Sequence, residues 1–169
     1  MRILIIFVIL IFNSHGKADV AIKNLVIHKE LKKYDSLTFL DDRNNQIDLN
    51  EFEGNLILLN FWATWCAPCK EEMPSLDNLQ SYKSLNNLKI FPINVGQDNI
   101  EKSLNFFKDL KIKNLDIYFD NPRTLAKKLG LRGLPTSILI NKDGLEFARV
   151  IGSIDFNDKI FIEWLSTYN

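Results

Sequence analysis

The spacing of Cys66 and Cys69, the only two cysteines in the 169-residue chain, constrains it more than any other feature. They lie in the stretch LILLNFWATWCAPCKEEMP, residues 56–74. Its opening run, Leu56-Ile57-Leu58-Leu59, is too short for a free-standing helix and suits a strand buried on both faces. Helical periodicity begins beyond it, so Cys66-Ala67-Pro68-Cys69 falls where a strand hands over to a helix. A C-x-x-C pair in that position points to thiol–disulfide chemistry. Helix N-terminal N–H groups and the macrodipole favour a thiolate at the first cysteine and make it a nucleophile. The second, one turn further in, is placed to attack a mixed disulfide and release the partner.

Blander readings of the pair are a structural disulfide, a metal site or inert thiols. A structural disulfide here closes so short a loop that it removes little unfolded-state entropy. A closed zinc site needs two further ligands, and the chain has only His15 and His28, so carboxylates would have to complete it. Redox chemistry is the reading the pattern favours.

The chain opens with Arg2 and an uninterrupted apolar run over residues 3–12. That is short of the roughly 20 residues a membrane span needs and matches the core of a secretory signal peptide. Cleavage fits after Gly16 or Ala18, and no cysteine follows the run to carry a lipid. An uncleaved anchor with snorkelling flanks is the alternative. Either way the remainder is expected outside the cytoplasm, in an oxidising periplasm. Without residues 1–18 the chain loses Arg2 and Lys17 from 21 basic residues and keeps all 21 acidic ones, a net charge of −2. That balance gives no electrostatic footprint for nucleic acid.

Residues 19–34 read as a lead-in, extended or partly helical, because their apolar residues keep no clean period. Residues 35–169 read as one α/β domain. A hairpin is expected from strands at 37–40 and 46–49 about a turn at 41–45. A helix follows at 70–82, with Met73, Leu76, Leu79 and Tyr82 on one face and a kink at Pro74. Then come a strand at 89–95, a helix at 100–110 capped by Asp98 or Asn99, and a short strand at 116–119. The second helix is expected to bury Ile100, Leu104, Phe107 and Leu110. Asn121-Pro122 reads as a cap with proline at the first helical position, and Gly130 as the stop of that helix. A strand at 137–140, the turn Asn141-Lys142-Asp143-Gly144, a strand at 146–151 and an amphipathic helix at 158–167 finish the chain. That last helix is expected to bury Ile160, Phe161, Trp164 and Leu165.

The segment Phe61 to Pro74, with Asn94-Val95-Gly96, Arg132-Gly133-Leu134-Pro135-Thr136 and Asn141-Lys142-Asp143-Gly144, resembles the thioredoxin superfamily. More narrowly it is similar to the TlpA-like branch, which includes the ResA and CcmG (DsbE) proteins of cytochrome c maturation. The resemblance runs from about Asp35 to Leu165 and implies a thioredoxin-like fold: a central mixed sheet flanked by helices, with an N-terminal β-hairpin. It implies that Pro135 is cis against the cysteines, with Leu134 offering backbone hydrogen bonds to substrate. Cys66 then attacks, Cys69 resolves, and Trp65 and Pro68 shape the rim, while Trp62 reads as core packing. The aspartate of ordinary thioredoxins is replaced here by Asn60, which exchanges no proton. Glu72, at i+3 from Cys69, matches the glutamate that TlpA-like proteins keep near their cysteines, and is expected to act as general base. A solvated helix-surface glutamate is the alternative.

The resemblance implies an enzyme with no cofactor beyond its own disulfide, reducing disulfides in exported proteins and recharged by a membrane electron donor. Partner candidates are an apocytochrome c, a thioredoxin-like maturation protein or a copper-site assembly protein of cytochrome oxidase. An oxidant that introduces disulfides is the reverse reading of the same chemistry. A peroxiredoxin-type peroxidase and a metallochaperone without turnover are alternatives of other classes. The W-C-A-P-C context disfavours the peroxidase, which carries its cysteine behind a P-x-x-x-T-x-x-C loop.

Overall fold

The computed structural model describes residues 22–169; the expected signal segment at residues 1–18 lies outside the described residues. The strands are β1 (Leu25–Lys32), β2 (Thr38–Leu40), β3 (Gln46–Asp48), β4 (Leu56–Trp62), β5 (Leu88–Asn94), β6 (Tyr118–Phe119), β7 (Thr136–Ile140) and β8 (Glu146–Ile151). The helices are α1 (Ala67–Gln80), α2 (Ile100–Asp109), α3 (Thr124–Lys128) and α4 (Lys159–Ser166). All eight strands join one mixed sheet in the order β1-β8-β7-β4-β5-β6-β2-β3. β4, β5 and β6 run parallel, while β7 lies antiparallel to β4 and β8 antiparallel to β7. This is the thioredoxin-like architecture the sequence leads to, with the β2–β3 hairpin added beyond β6.

β4 is central and every residue in it is buried. Because strand side chains alternate, Leu56, Leu58 and Trp62 enter the core beneath α1, α2 and α4, while Ile57, Leu59 and Phe61 enter a second core against α3 and the hairpin. A sheet covered on both faces demands this continuous apolar strand.

The segment expected as a lead-in supplies β1, an edge strand paired antiparallel with β8. Its residues are half-buried or exposed, which explains why no hydrophobic period marked it. The turn at residues 141–144 forms as expected: Asn141 Oδ1 accepts from the amides of Asp143 and Leu145, and Gly144 takes φ +74°.

Four expectations need correction. Tyr82 lies beyond the end of α1 and is exposed. In α2 the buried residues are Ser103, Phe106 and Phe107, and Leu104 faces solvent. Ser103 fills an interior position because its hydroxyl accepts from the buried Asn94 of β5, so a polar residue interrupts the apolar stripe. In α4, Ile162 is buried and Ile160 is exposed. Asn121-Pro122 does not open α3; its peptide bond is cis, and Arg123 at φ +68° precedes the helix. Gly130 does follow the end of α3, donating to the Lys127 carbonyl while Leu131 donates to that of Ala126. That double bond is a Schellman closure, and Gly130 takes the left-handed φ of +63° it requires.

Among the described residues no helix is long and apolar enough to cross a membrane, and no group of three or more His, Cys, Asp or Glu could hold a metal ion.

Candidate active site

Cys66 is the N-cap of α1: its backbone is extended, and its Sγ accepts from the Cys69 amide at 3.3 Å. Cys69 sits in the helix's first turn and is joined to Cys66 by a disulfide. Pro68 stands between them, where its missing N–H costs the helix nothing. In this oxidised state both sulfur residues are buried, Cys66 at 4% and Cys69 at 0% exposure. Beside them Trp65, at 65%, is the most exposed large apolar side chain among the described residues, and Ala67 and Pro68 are exposed with it. Trp62 is fully buried and stacks on Phe106 with ring centroids 4.7 Å apart, so it belongs to the core.

The Leu134–Pro135 peptide bond is cis, and the buried Pro135 leads directly into β7. Leu134 lines a surface groove together with Trp65. The turn between β4 and α1 is held from the other side by Asp98, whose Oδ2 accepts from the Thr64 amide at 3.1 Å and whose Oδ1 meets Lys102 Nζ at 2.8 Å. Burial would raise the Asp98 carboxyl, but hydrogen bonds from Lys102, Thr64 and Asn94 overcome it and hold the pKa at about 2. Gly96 is confined in the same corner: a Cβ there would lie 2.6 Å from Asp98 Oδ2 and 2.7 Å from Ala63 Cβ. Only glycine lets the chain pass beneath Trp65 without displacing the turn.

Glu72 lies one turn beyond Cys69 on α1 and is 2% exposed, so it is not a solvated surface residue. Its Oε1 accepts from Asn60 Nδ2 at 2.8 Å, and its Oε2 from the Ile154 amide at 3.3 Å. Asn60 also donates to Ser137 Oγ at 3.0 Å, so α1, β4 and β7 meet in one polar contact. Burial pushes the Glu72 pKa up to about 7, and the two hydrogen bonds to its ionised form only partly offset that rise. A cavity of about 610 Å³ is lined by Glu72, Ser75 and Ile154. Asp98, Gly96, Ser137 and the Ile154 amide carried no catalytic signal in the sequence, beyond the presence of Gly96 in the Asn94-Val95-Gly96 motif. His28 is committed elsewhere, hydrogen-bonded to the buried Glu146 of β8.

The arrangement provides a helix-capping sulfur, a second sulfur one turn in, and a buried carboxyl that changes charge near neutral pH. A family model described as Redoxin matches residues 24–153, from the start of β1 to just past β8. The chain belongs to the redoxin family. Among its redoxin relatives, the thiol-disulfide oxidoreductase ResA of Bacillus subtilis (strain 168) is 34% identical over 116 residues. That match covers 68% of this chain and 64% of ResA, slightly under two thirds of the relative's length. ResA of Bacillus thuringiensis subsp. konkukian is 31% identical over 121 residues, covering 72% of this chain and 69% of that protein. Among solved structures, a DsbF homologue from Corynebacterium diphtheriae superposes with a TM-score of 0.68 at 22% identity, over 90% of this chain and 97% of that one. StoA from Bacillus subtilis gives 0.63 at 24% identity, over 79% and 95%. Within the redoxins the chain is therefore a TlpA/ResA-like member of the thioredoxin superfamily.

Proposed function

We propose that this chain is an exported thiol–disulfide oxidoreductase that reduces disulfides in partner proteins, with Cys66 attacking and Cys69 resolving. The observation that carries the proposal is the Cys66–Cys69 disulfide at the first turn of α1, beside the exposed Trp65 and the cis-Pro135. In the reduced protein the Cys66 thiolate attacks one sulfur of the partner's disulfide. A bond forms between the two, the partner's S–S bond breaks, and the departing sulfur takes up a proton. Glu72, with its pKa near 7, accepts the Cys69 proton. The Cys69 thiolate then attacks Cys66 Sγ, re-forming the internal disulfide and releasing the second partner thiol, which is protonated in turn. Two electrons pass from the cysteine pair to the partner, with one proton originating on Cys69 and the other drawn from solvent, and no cofactor takes part.

The reducing direction is supported by what surrounds the Cys66 sulfur. Strong stabilisation of the thiolate makes such a pair an oxidant. Here the sulfur takes a single helix-end N–H, that of Cys69, and Pro68 removes another from the first turn, so the thiolate is held by one amide only. Export is supported by Arg2 and the apolar run at residues 3–12. An exported reductant has to be recharged, so a membrane-embedded dithiol donor completes the cycle. By likeness to the TlpA-like proteins, the partners are an apocytochrome c, a thioredoxin-like maturation protein or a copper-site assembly protein.

The test is trapping. Full-length Cys69→Ser, reduced and mixed with a disulfide-bonded peptide, is expected to accumulate a mixed disulfide through Cys66, visible by mass spectrometry. Cys66→Ser should accumulate far less. Trapping by Cys66→Ser instead would reverse the assignment, and trapping by neither would end it.

A further inference from the structure

A groove of about 310 Å³ runs from Trp65 along α3, floored by Val95, Leu131 and Leu134 and edged by Arg123 and Lys127. The segment that builds this edge, residues 121–133, holds Arg123, Lys127, Lys128 and Arg132 and no acidic residue. Lys128 is committed to the Ser36 carbonyl. Arg123 is not so committed: its Nε is buried and has no hydrogen-bond partner among the described residues. The Nε itself is closed to solvent, but Arg123 is only half-buried and lines the groove, so the rest of its guanidinium is what an incoming carboxylate, whose geometry a guanidinium fits, would meet.

Neighbouring acids do not satisfy it. Asp120, at the foot of α3, is buried and accepts from the Leu125 and Ala126 amides and the Thr124 hydroxyl. Asp98 is committed to Lys102 and the Thr64 amide. The groove thus joins an apolar floor to two cations beside the same Trp65 that flanks Cys66.

We propose that this groove receives the polypeptide next to the partner's disulfide, and that this segment carries acidic side chains opposite Arg123 and Lys127. The proposal rests on the disulfide-exchange reading and adds the class of substrate to it. Apolar contacts to Leu131 and Leu134 hold the segment, and the two cations select its charge and speed its encounter.

The experiment uses the reduced full-length chain and three end-blocked peptides. Each peptide has one internal disulfide and differs only in whether the flanking residues are Glu, Ser or Lys. Second-order reduction rates are each divided by the rate of the same peptide with dithiothreitol, which removes intrinsic differences in the disulfides. The expected order is Glu above Ser above Lys, with about a tenfold acidic-over-basic ratio at low salt that shrinks as the Debye length falls to roughly 3 Å near 1 M salt. In Arg123→Gln/Lys127→Gln that ratio should approach one, and in Arg123→Glu/Lys127→Glu it should invert. A normalised ratio of one or less in the wild type would overturn the proposal without need of any variant. So would a ratio unchanged by Arg123→Gln/Lys127→Gln. Failure to reduce any of the three peptides would instead overturn the exchange reading beneath it.

Discussion

Asn60 Nδ2 donates to Glu72 Oε1 across 2.8 Å, tying the central strand to the helix that carries both cysteines. The amide occupies the place where ordinary thioredoxins have an ionisable group, so Glu72 is the one titrating side chain of this contact.

The first prediction concerns Glu72 itself. Its pKa stands at about 7 in the folded chain against an ordinary 4.5, because burial disfavours the charge. The folded state therefore keeps a proton that the unfolded chain releases above pH 4.5. The associated stability is full below that value and is lost as pH rises through 7. Glu72→Gln removes the dependence, so it should gain on wild type by on the order of 3 kcal/mol between pH 4.5 and 8 in urea unfolding. The rate of disulfide exchange in wild type should show an inflection near pH 7 that the variant lacks. Identical pH profiles for the two proteins would exclude Glu72 as the base.

Asn60→Leu deletes a hydrogen bond that favours the charged form of Glu72. The inflection in the exchange rate should then move to higher pH. Asn60→Asp puts two carboxyls in contact and should split the titration into two apparent values, one well above 7. Carboxyl titration followed by infrared or NMR reads both effects, and an inflection that stays in place in both variants would refute the coupling.

At Gly96 the prediction is steric. A methyl group would press on Asp98 and Ala63 at 2.6 and 2.7 Å, so Gly96→Ala should cost about 1–3 kcal/mol and displace the Trp65 turn. Denaturation midpoint and tryptophan fluorescence report the two effects. Wild-type stability in this variant would show that the corner yields freely.

Glu146 gives a prediction far from the cysteines. Burial alone would raise its carboxyl, yet hydrogen bonds from Arg149, Tyr34 and His28 hold it at about 2. With the folded pKa below the ordinary 4.5, its contribution is present above that value and is lost as pH falls towards 2. Glu146→Ala leaves Arg149, only 12% exposed, without its partner, and should cost roughly 3–5 kcal/mol. Hydrogen exchange should find β1 released from β8 before the rest of the sheet opens. Unchanged protection of β1 would contradict this.

Residues whose surroundings are local were legible in the sequence. The run Leu56–Leu59 announced a strand covered on both faces, the cysteines announced the start of α1, and Asn141 announced a turn its own side chain closes. What escaped depended on distant partners. Glu146 reads as an ordinary strand-edge charge until Tyr34 and His28, more than 100 residues away, are folded against it. Ser103 hid the buried face of α2 because its partner, Asn94, lies on another element. β1 kept no period because it borrows its order from β8. For Glu72, spacing alone suited a surface residue; only resemblance pointed inward, and the packing of Asn60 and Ile154 gives the physical reason.

The measurement that tests the central claim most directly is the reduction potential of the Cys66–Cys69 pair, taken by equilibrating the full-length protein in dithiol/disulfide buffers. Thioredoxin and DsbA mark the range, at about −270 mV and about −120 mV. A reversible two-electron couple near or below the thioredoxin value is predicted. A couple near the DsbA value would reverse the proposed electron flow, and a pair that does not equilibrate with dithiols would contradict the account.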